Sequence, residues 1–388
     1  MAKNKKVKKI IICSVVIAIG IPIVIVGAYA TYVLASYHRI GDKIEEVNHK
    51  AAQNTVSLNS ELSVTSFNIG FGAYSDEYSF FLDQGINADG SANVGYYGKA
   101  ISKDDVLANT QGCLDSAISL NSDFYVFQEV DKDSDRSYHV DQNAILVDAF
   151  NTFDSTYVLN FDSAYLFYPL HDPHGKSIAG LNTFSKYKIE SSERHEYKVA
   201  DDLSKLFDLD RCFSSNRIKV ENDKELVLIN SHMSAYDEGG KIRNEQLKQL
   251  YTFMLNEYQK GNYVVCGGDF NHDLLTNNPM YPQYTEENFA YKDLTSQQKP
   301  DWVNYLFDSD KNSKYDSTFT VIASDNQPSC RGCDLPFTYG VNFLSTVDGF
   351  IISPNVEYKS VTTTVLGEND GFEFSDHQPT TMKFSLIG

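Results

Sequence analysis

VVCGGDFNHD, residues Val264–Asp273, is an apolar stretch that ends in a crowd of polar side chains. A short apolar run bounded by glycine predicts a buried strand. Asp269 and Asn271 are two residues apart on this extended segment, so their side chains point the same way. Gly267 and Gly268 allow a neighbouring backbone to approach closely. The stretch therefore predicts a strand that carries a carboxylate and an amide out of the core at its end.

The same pattern recurs where other predicted strands begin or end, and none of these positions holds Lys or Arg. They are Asn68 in SVTSFN, Gln128 and Glu129 in FYVFQE, Asn230 and His232 in LVLINSH, and Asp376 and His377 in SDH. Strand termini at one edge of a sheet lie close together in the fold. We therefore expect these dispersed side chains to converge on one pocket.

The remaining pattern is that of an α/β protein without an internal repeat of fixed period. The strands predicted from it are Leu62–Ile69, Phe124–Gln128, Tyr157–Tyr168, Leu226–Ser231, Tyr263–Gly267, Phe319–Ile322, Val347–Ile352 and Thr380–Leu386. Apolar stripes with helical spacing predict helices over Asp104–Leu120 and Lys241–Tyr258. Two polar stretches, Phe71–Ala100 and His272–Ser317, are interpreted as insertions that shape a binding site.

The N-terminal leader predicts a membrane span. No charged residue occurs from Ile10 to Tyr37, a length that exceeds the ~30 Å hydrocarbon core of a bilayer when helical. Five lysines precede Ile10, which places the N-terminus in the cytoplasm and the rest of the chain outside. Ala28–Ala30 has the form of a signal-peptide cleavage site, so secretion after cleavage stays an alternative. A plausible helical stalk over residues 38–60 would join the anchor, residues 10–37, to a catalytic domain at 61–388.

Charge and cysteine content narrow the setting further. The chain has 52 acidic residues against 33 basic ones, five of which lie in the leader, residues 1–9. Such a surface argues against tight binding of long nucleic acids through phosphate contacts. Cys330 and Cys333 in SCRGCD make a poor zinc site without a second pair, and a disulfide that ties a loop is the simplest interpretation.

The order of these motifs resembles that of the endonuclease/exonuclease/phosphatase superfamily of metallophosphoesterases. The order is N, Q-E, H, G-D-F-N, D within an apolar strand, and S-D-H. The resemblance covers residues 62–386. It implies a four-layer α/β/β/α sandwich of two mixed sheets flanked by helices, here preceded by one transmembrane helix. It also implies hydrolysis of a phosphate ester by metal-assisted in-line attack of water.

The resemblance assigns a role to each motif residue. Glu129 would bind Mg²⁺, with Mn²⁺ or Ca²⁺ as alternatives, and Asn68 and Asp376 would complete or orient that site. His377 would be the general base, oriented by Asp348, although this chain has Thr346 where the family commonly has a basic residue. His232 would hydrogen-bond the phosphate oxygens, a role that suits a protonated ring best. Asp269 would orient water or protonate the leaving oxygen. Asn271 would hold the phosphoryl group.

Two classes of function stay open. The first is an extracytoplasmic, membrane-anchored phosphoesterase acting as a phosphodiesterase or nuclease, a sphingomyelinase-like phospholipase C, or a phosphatase of a small metabolite. The second is a catalytically silent binding module on the same fold. Because Glu129, Asp269, His232 and His377 are all retained, the enzyme is favoured. The expected partners are a phosphate-ester substrate and the membrane, and no protein partner is predicted.

Overall fold

A computed structural model describes residues 2–87, 89–199, 210–235, 241–275, 318–338, 340–367 and 371–388. The helices are α1 (Ala2–Ser36), α2 (Lys103–Leu120), α3 (Gln142–Ala149) and α4 (Lys241–Gln259), with short 3₁₀ turns at Gly70–Gly72 and Asp135–Ser137. The strands are β1 (Lys43–Glu45), β2 (Val47–Asn48), β3 (Leu62–Asn68), β4 (Gln84–Ile86), β5 (Ala92–Val94), β6 (Phe124–Asp131), β7 (Asp154–Asp162), β8 (Ile178–Ser185), β9 (Ile189–Glu196), β10 (Cys212–Lys219), β11 (Glu225–His232), β12 (Tyr263–Asp269), β13 (Thr320–Ile322), β14 (Cys330–Arg331), β15 (Leu344–Ser345), β16 (Asp348–Ile352), β17 (Val356–Thr363) and β18 (Thr380–Leu386).

Two seven-stranded mixed sheets form the centre of the protein. One has the order β1-β9-β10-β11-β12-β16-β13 and the other β17-β18-β3-β6-β8-β7-β2. Val126 and Val64 of the second sheet share one buried apolar cluster with Leu228 and Val265 of the first, so the two sheets pack face to face. Only the pairs β11–β12 and β3–β6 run parallel within these two sheets as described.

Helices cover the outer faces of both sheets. On the first sheet, Leu250 and Met254 of α4 pack against Val264 and Ile351. On the second, Leu114 of α2 belongs to a buried cluster with residues of α3 and β6. The layers therefore run helix, sheet, sheet, helix, which confirms the expected four-layer sandwich.

Local chemistry sets the ends of α2. The Ser102 side chain accepts a hydrogen bond from Asp105 N, which satisfies one of the unpaired amides of the first turn. Asn121 ends the helix in a left-handed conformation, which asparagine tolerates better than most residues. The predicted helices, α2 and α4, are confirmed to within one residue at each end.

The helix α1 is long and apolar enough to cross a bilayer. Within its segment Val7–Ser36, an 18-residue window has a mean hydropathy of 3.0, and none of that window is buried. A signal sequence has the same properties. The N-terminal apolar helix is thus confirmed as a candidate membrane span.

The helical stalk expected over residues 38–60 is wrong. Within this range, β1 pairs with β9 in the first sheet and β2 pairs with β7 in the second. The chain therefore leaves α1 and at once contributes an outer strand to each sheet. The polar sequence here is explained by edge-strand exposure, which hides strand periodicity.

Most predicted strands are present, with two kinds of difference. The predicted strand Tyr157–Tyr168 extends too far along the chain, because the observed strand β7 ends at Asp162 and a loop follows. The predictions also omit the helix α3 and several strands, among them β8, β9 and β17. β17 has an exposed polar middle, and β8 is buried but rich in small and polar residues, so neither shows a clear apolar run. Of the expected insertion His272–Ser317, all but the first four residues lie outside the described part of the chain.

Candidate active site

Sheet topology brings the predicted polar side chains to one edge. Asn68 lies beside Gln128 at the carboxyl ends of β3 and β6. Across the sandwich, His232 pairs in register with Asp269, and Asp269 with Asp348 at the start of the antiparallel β16. The ends of parallel strands and the beginnings of antiparallel neighbours therefore meet at the same place.

A β-bulge turns Glu129 toward the site. In the pairing of β6 with β8, Phe127 lies opposite Asn182 and Val130 opposite Gly180, so β6 has one extra residue. Glu129 takes a left-handed backbone conformation with φ of 53°. Such a conformation is costly for a residue with a side chain and is found mainly where function requires it. The bulge places the carboxylate in the cavity rather than in the sheet.

Asp269 lies at the centre of the cluster. Its Oδ2 atom is 3.1 Å from Asn68 Nδ2, 3.5 Å from His232 Nε2 and 3.6 Å from His377 Nε2. Its Oδ1 atom accepts a hydrogen bond from the backbone N of Asn271 at 2.8 Å. Burial raises the pKa of Asp269 despite the opposing charge of His377. This carboxylate is therefore a stronger base than an exposed aspartate.

Asn68 connects this cluster to Glu129. Its amide nitrogen lies 3.4 Å from Glu129 Oε1 and 3.5 Å from His377 Nε2. Its Oδ1 accepts from Gly70 N, which fixes the amide orientation. Glu129 and His377 therefore face the same small space.

His377 is held by Asp348. The Nδ1 atom of His377 lies 2.7 Å from Asp348 Oδ2, and both side chains are buried. Burial alone would lower the pKa of His377, but the charges of Asp348, Cys330, Asp269 and Asp376 outweigh it and raise this pKa well above its ordinary value. The raised pKa favours the protonated ring, and the role of His377 as general base stays a prediction.

His232 has the opposite electrostatics. Its Nε2 faces Glu129 Oε1 at 3.8 Å, in addition to Asp269, and its Nδ1 lies 3.4 Å from Asn160 Nδ2. Burial, followed by the charge of Arg211, lowers the pKa of His232 well below its ordinary value. The expectation of a protonated ring at this position is therefore wrong, and His232 is a neutral donor from Nε2.

Asp376 provides a test of whether a divalent cation fits here. Its pKa is raised to about 7, chiefly by burial and also by the negative charge of Glu129, against the lowering effect of His377. Oxygen ligands from a few carboxylates are the set that Mg²⁺ and related cations prefer. Buried carboxylates that repel one another are stabilised by such an ion, so Asp376 and Glu129 fit it.

Other groups of close metal-binding side chains share His377. One consists of Asp269, Asp348 and His377, and the other of Cys330, Asp376 and His377. In the latter, Cys330 Sγ lies 3.5 Å from His377 Nε2. Both Cys330 and Cys333, which lie in the described part of the chain, are free thiols, so the expected disulfide is absent.

Two predicted polar residues serve the fold instead. Gln128 Nε2 donates to Asn230 Oδ1 at 2.8 Å between the two sheets, and both side chains are fully buried. Asn230 Nδ2 in turn donates to Phe127 O and Asn182 O. They form a polar bridge behind the site. Asn271 lines the cavity, but its amide donates to Met233 O at 2.8 Å.

Arg331 is a residue of the site that sequence patterns did not reveal. It lines the cavity and is buried, and Nη2 donates to Ser75 O at 3.0 Å. Neither Nε nor Nη1 has a hydrogen-bond partner among the described residues. A buried guanidinium with free donors is well suited to bind a phosphate oxygen. In the sequence, only its position between the two cysteines of SCRGCD could have drawn attention to Arg331.

The cluster lies in a cavity of ≈ 670 Å³ with largely aromatic walls. The residues that line it include Phe71, Tyr74, Phe80 and Phe81 from the first predicted insertion, together with Glu129, Asp269, Asn271, Asp376 and His377. The first part of the predicted insertion, residues 71–83, therefore shapes the cavity.

Several other polar side chains have partners in the fold. His174 is buried and bonded to Gly98 O, and burial lowers its pKa to about 3. Arg217 forms ion pairs with Glu225 and Glu257, whereas Arg211 lines the cavity. Ser185 bonds to Tyr187 O.

Comparison with known proteins places the fold. No family model and no curated protein sequence matches the chain. Among solved structures, an endonuclease/exonuclease/phosphatase from Beutenbergia cavernae is 14% identical, with a TM-score of 0.50, covering 84% of this chain and 72% of that chain.

Two further structures give the same result. The D. rerio TDP2, complexed with single-strand DNA product, is 11% identical with a TM-score of 0.52 over 84% of this chain and 100% of that one. ANGEL2, a 2',3'-cyclic phosphatase bound to adenosine-2',3'-vanadate, is 15% identical with a TM-score of 0.51 over 88% and 98%. The chain therefore has the endonuclease/exonuclease/phosphatase fold.

Proposed function

We propose that this protein is a membrane-anchored hydrolase of phosphate esters that requires a divalent cation, with Mg²⁺ as the expected ion. One observation carries the proposal. Asp269 Oδ2 lies within 3.1–3.6 Å of Asn68, His232 and His377, and His377 is itself held by Asp348. Hydrolysis of a phosphate ester requires a base to activate water and hydrogen-bond donors to stabilise the phosphoryl oxygens. The carboxylate of raised pKa and the donors around it supply both.

Asp269 is the group that we assign to activation of water. Its raised pKa makes the carboxylate a stronger base than an ordinary aspartate. It accepts a proton from a water molecule while the water oxygen bonds to phosphorus and the bond from phosphorus to the leaving oxygen breaks. The hydrogen bond from Asn271 N fixes the carboxylate for this transfer.

His377 and His232 bind the phosphoryl oxygens in this proposal. His377 carries a proton on Nε2 because Asp348 holds Nδ1, so it neutralises charge that develops in the transition state. The neutral His232 donates from Nε2, and Arg331 offers two further free donors. The His–Asp pair thus acts as an electrostatic group, and Asp269 replaces it as the base.

Glu129 and Asp376 would hold the cation, and the Asn68 amide, 3.4 Å from Glu129 Oε1, would orient Glu129. A bound divalent cation would neutralise the phosphoryl oxygens and stabilise the leaving oxygen. The structural neighbours bear on this proposal: the printed description of TDP2 names a DNA product, and that of ANGEL2 a cyclic phosphatase. Phosphate-ester chemistry on the same fold supports an enzyme over a silent binding module.

The anchor and its direction are part of the proposal. The apolar helix α1 supports attachment to a membrane, and the lysines before it support a cytoplasmic N-terminus with the sandwich outside the cell.

The test is turnover of bis(p-nitrophenyl) phosphate by the full chain in detergent. We expect hydrolysis with Mg²⁺ or Mn²⁺ that chelator abolishes, and Glu129→Gln should lower the rate by about 100-fold. Glu357→Gln, at an exposed position of β17, is the matched control and should leave the rate unchanged. Equal and negligible rates with cation and with chelator would reject the proposal and favour the binding module.

A further inference from the structure

The end of α1 contacts the loop that follows β7. Tyr29 Oη donates to Tyr165 O and accepts from Phe167 N, each at 3.1 Å. Tyr165 N donates to Tyr32 Oη at 3.1 Å, and the rings of Tyr29 and Phe167 pack edge to face at 5.3 Å. The loop is therefore fixed to the helix through its backbone as well as through its rings.

The length of α1 gives the depth of this contact in a bilayer. A hydrocarbon core of ~30 Å takes about 20 helical residues at ~1.5 Å each. Counted from Ile10, the first residue after the lysines, twenty residues end at Tyr29. Tyrosine favours the headgroup layer, so Tyr29 and Tyr32 lie at the interface on this count.

The loop itself has the composition of a membrane-contacting surface. Residues 163–170, SAYLFYPL, contain no charged side chain in a chain with 52 acidic residues. Phe167, Tyr168 and Leu170 are 51%, 59% and 84% exposed. Large exposed apolar groups that stand together mark an interaction surface.

This surface also forms the mouth of the cavity. Tyr29, Phe167, Tyr168 and Leu170 line the same cavity as Asp269 and His377. The loop side chains are exposed whereas Asp269 is buried, and aromatic side chains line the cavity together with them. An apolar path thus connects the headgroup layer with the catalytic carboxylate.

We propose that the Phe167–Leu170 loop and the end of α1 rest on the bilayer, and that the substrate is a phospholipid whose headgroup phosphate enters this cavity. The inference rests on the proposed function and names its substrate class. The acyl chains remain at the membrane while the phosphodiester reaches Asp269 and His377. Water attacks phosphorus, one P–O ester bond breaks, and the products are an alcohol and a phosphate monoester.

The membrane contact is tested without any activity. The full chain carrying Phe167→Trp, in a background with Trp302→Phe, is reconstituted in phosphatidylcholine vesicles with and without brominated acyl chains. We expect the brominated vesicles to quench the emission by about twofold, because interfacial side chains reach the first acyl carbons. Ile118→Trp on α2, at a position of similar exposure, should not be quenched. Equal emission of Phe167→Trp in both kinds of vesicle would overturn the inference.

The substrate class is tested by comparing two substrates in one preparation. The full chain is reconstituted in vesicles that contain equal amounts of phosphatidylcholine and phosphatidylglycerol. We expect it to hydrolyse the lipid and to release an alcohol or a phosphate monoester, which is measured. Phe167→Ser combined with Leu170→Ser should lower the ratio of lipid to bis(p-nitrophenyl) phosphate turnover by about tenfold, because each apolar side chain lost weakens interfacial binding. Ile118→Ser is the matched control and should leave this ratio unchanged.

The outcomes separate the two proposals. Turnover of the soluble diester without turnover of either lipid overturns the phospholipid inference and leaves the phosphoesterase standing. An unchanged ratio in the double variant also overturns the inference. Failure to hydrolyse any of the substrates with Mg²⁺ or Mn²⁺ rejects the proposed function itself.

Discussion

Two buried groups of acidic residues in this protein have opposite electrostatics. The first, called the catalytic cluster after the role proposed for it, consists of Glu129, Asp269, Asp348, Asp376 and His377. The structural cluster is the ion-pair network of Glu257, with Arg217 at 2.8 Å, Lys260 at 2.8 Å and Asn262 at 2.8 Å. Burial alone would raise the pKa of Glu257, but hydrogen bonds from Arg217, Lys260 and Asn262 lower it to about 2. In the catalytic cluster, the pKa of Asp376 is raised to about 7 instead.

The difference lies in the supply of positive charge. Each carboxylate oxygen of Glu257 has a basic or amide partner, so the network is complete as folded. The catalytic cluster gathers four carboxylates around one histidine, which leaves room for an external cation. The Glu257 network therefore stabilises the fold, whereas the catalytic cluster is suited to bind a cation.

The largest effect expected from this comparison is on activity. Asp269→Asn keeps the shape but removes the base, so turnover of the soluble diester should fall by about 1,000-fold. Because the neutral amide relieves repulsion with Asp348, the variant should unfold at no lower denaturant concentration than the wild type. A variant that loses activity together with stability would mean that Asp269 holds the fold.

The next effect concerns the structural cluster. Glu257→Gln leaves Arg217 and Lys260 without their shared partner, and we expect unfolding to cost about 2 kcal/mol less, since Arg217 is partly exposed. Urea denaturation measures the loss. Diester turnover at saturating cation should stay unchanged, and a fall would show that this network also supports the cavity.

The smallest effect is a pH dependence of opposite sign in the two clusters. In chelator, Asp376 binds a proton more tightly folded than unfolded, so its stabilisation is present below pH 4 and is lost as pH rises toward 7. Glu257 behaves in reverse, since its stabilisation is complete above about pH 4 and is lost as pH falls toward 2. We expect Asp376→Asn to remove about 1 kcal/mol of the decline between pH 4 and 7. The unfolding free energy of both proteins, measured across that range, decides the point. If the unfolding free energies of the wild type and of Asp376→Asn changed with pH in parallel, the expected contribution of Asp376 would be contradicted.

The strand ends were predictable because apolar runs stop abruptly where they reach the site. Asn68 and Asp269 follow that rule at the ends of β3 and β12, whereas Glu129 lies at the bulge within β6 and His377 shortly precedes β18. Asp348 was identified through the resemblance alone, because an acid inside an apolar strand has no distinguishing local pattern. The rule also selected Asn230, which lies two residues before His232 on the same strand but bridges the sheets instead.

Other features could not be predicted from local patterns. Arg331 comes to the cavity from a short hairpin, and the contact of Tyr29 with Tyr165 joins residues that are 136 positions apart. The protonation of His232 and His377 depends on which charges surround each ring after folding. Such properties arise from long-range packing, so only the structure reveals them.

The extra residue in β6 has a consequence for how this protein changes over time. Removing one residue between Phe127 and Val130 would restore a regular ladder with β8 and withdraw Glu129 from the cavity. Selection for thermal robustness alone would reward such a deletion, whereas selection for catalysis would reject it. Strand length at this point is therefore a trait on which the two pressures act in opposite directions.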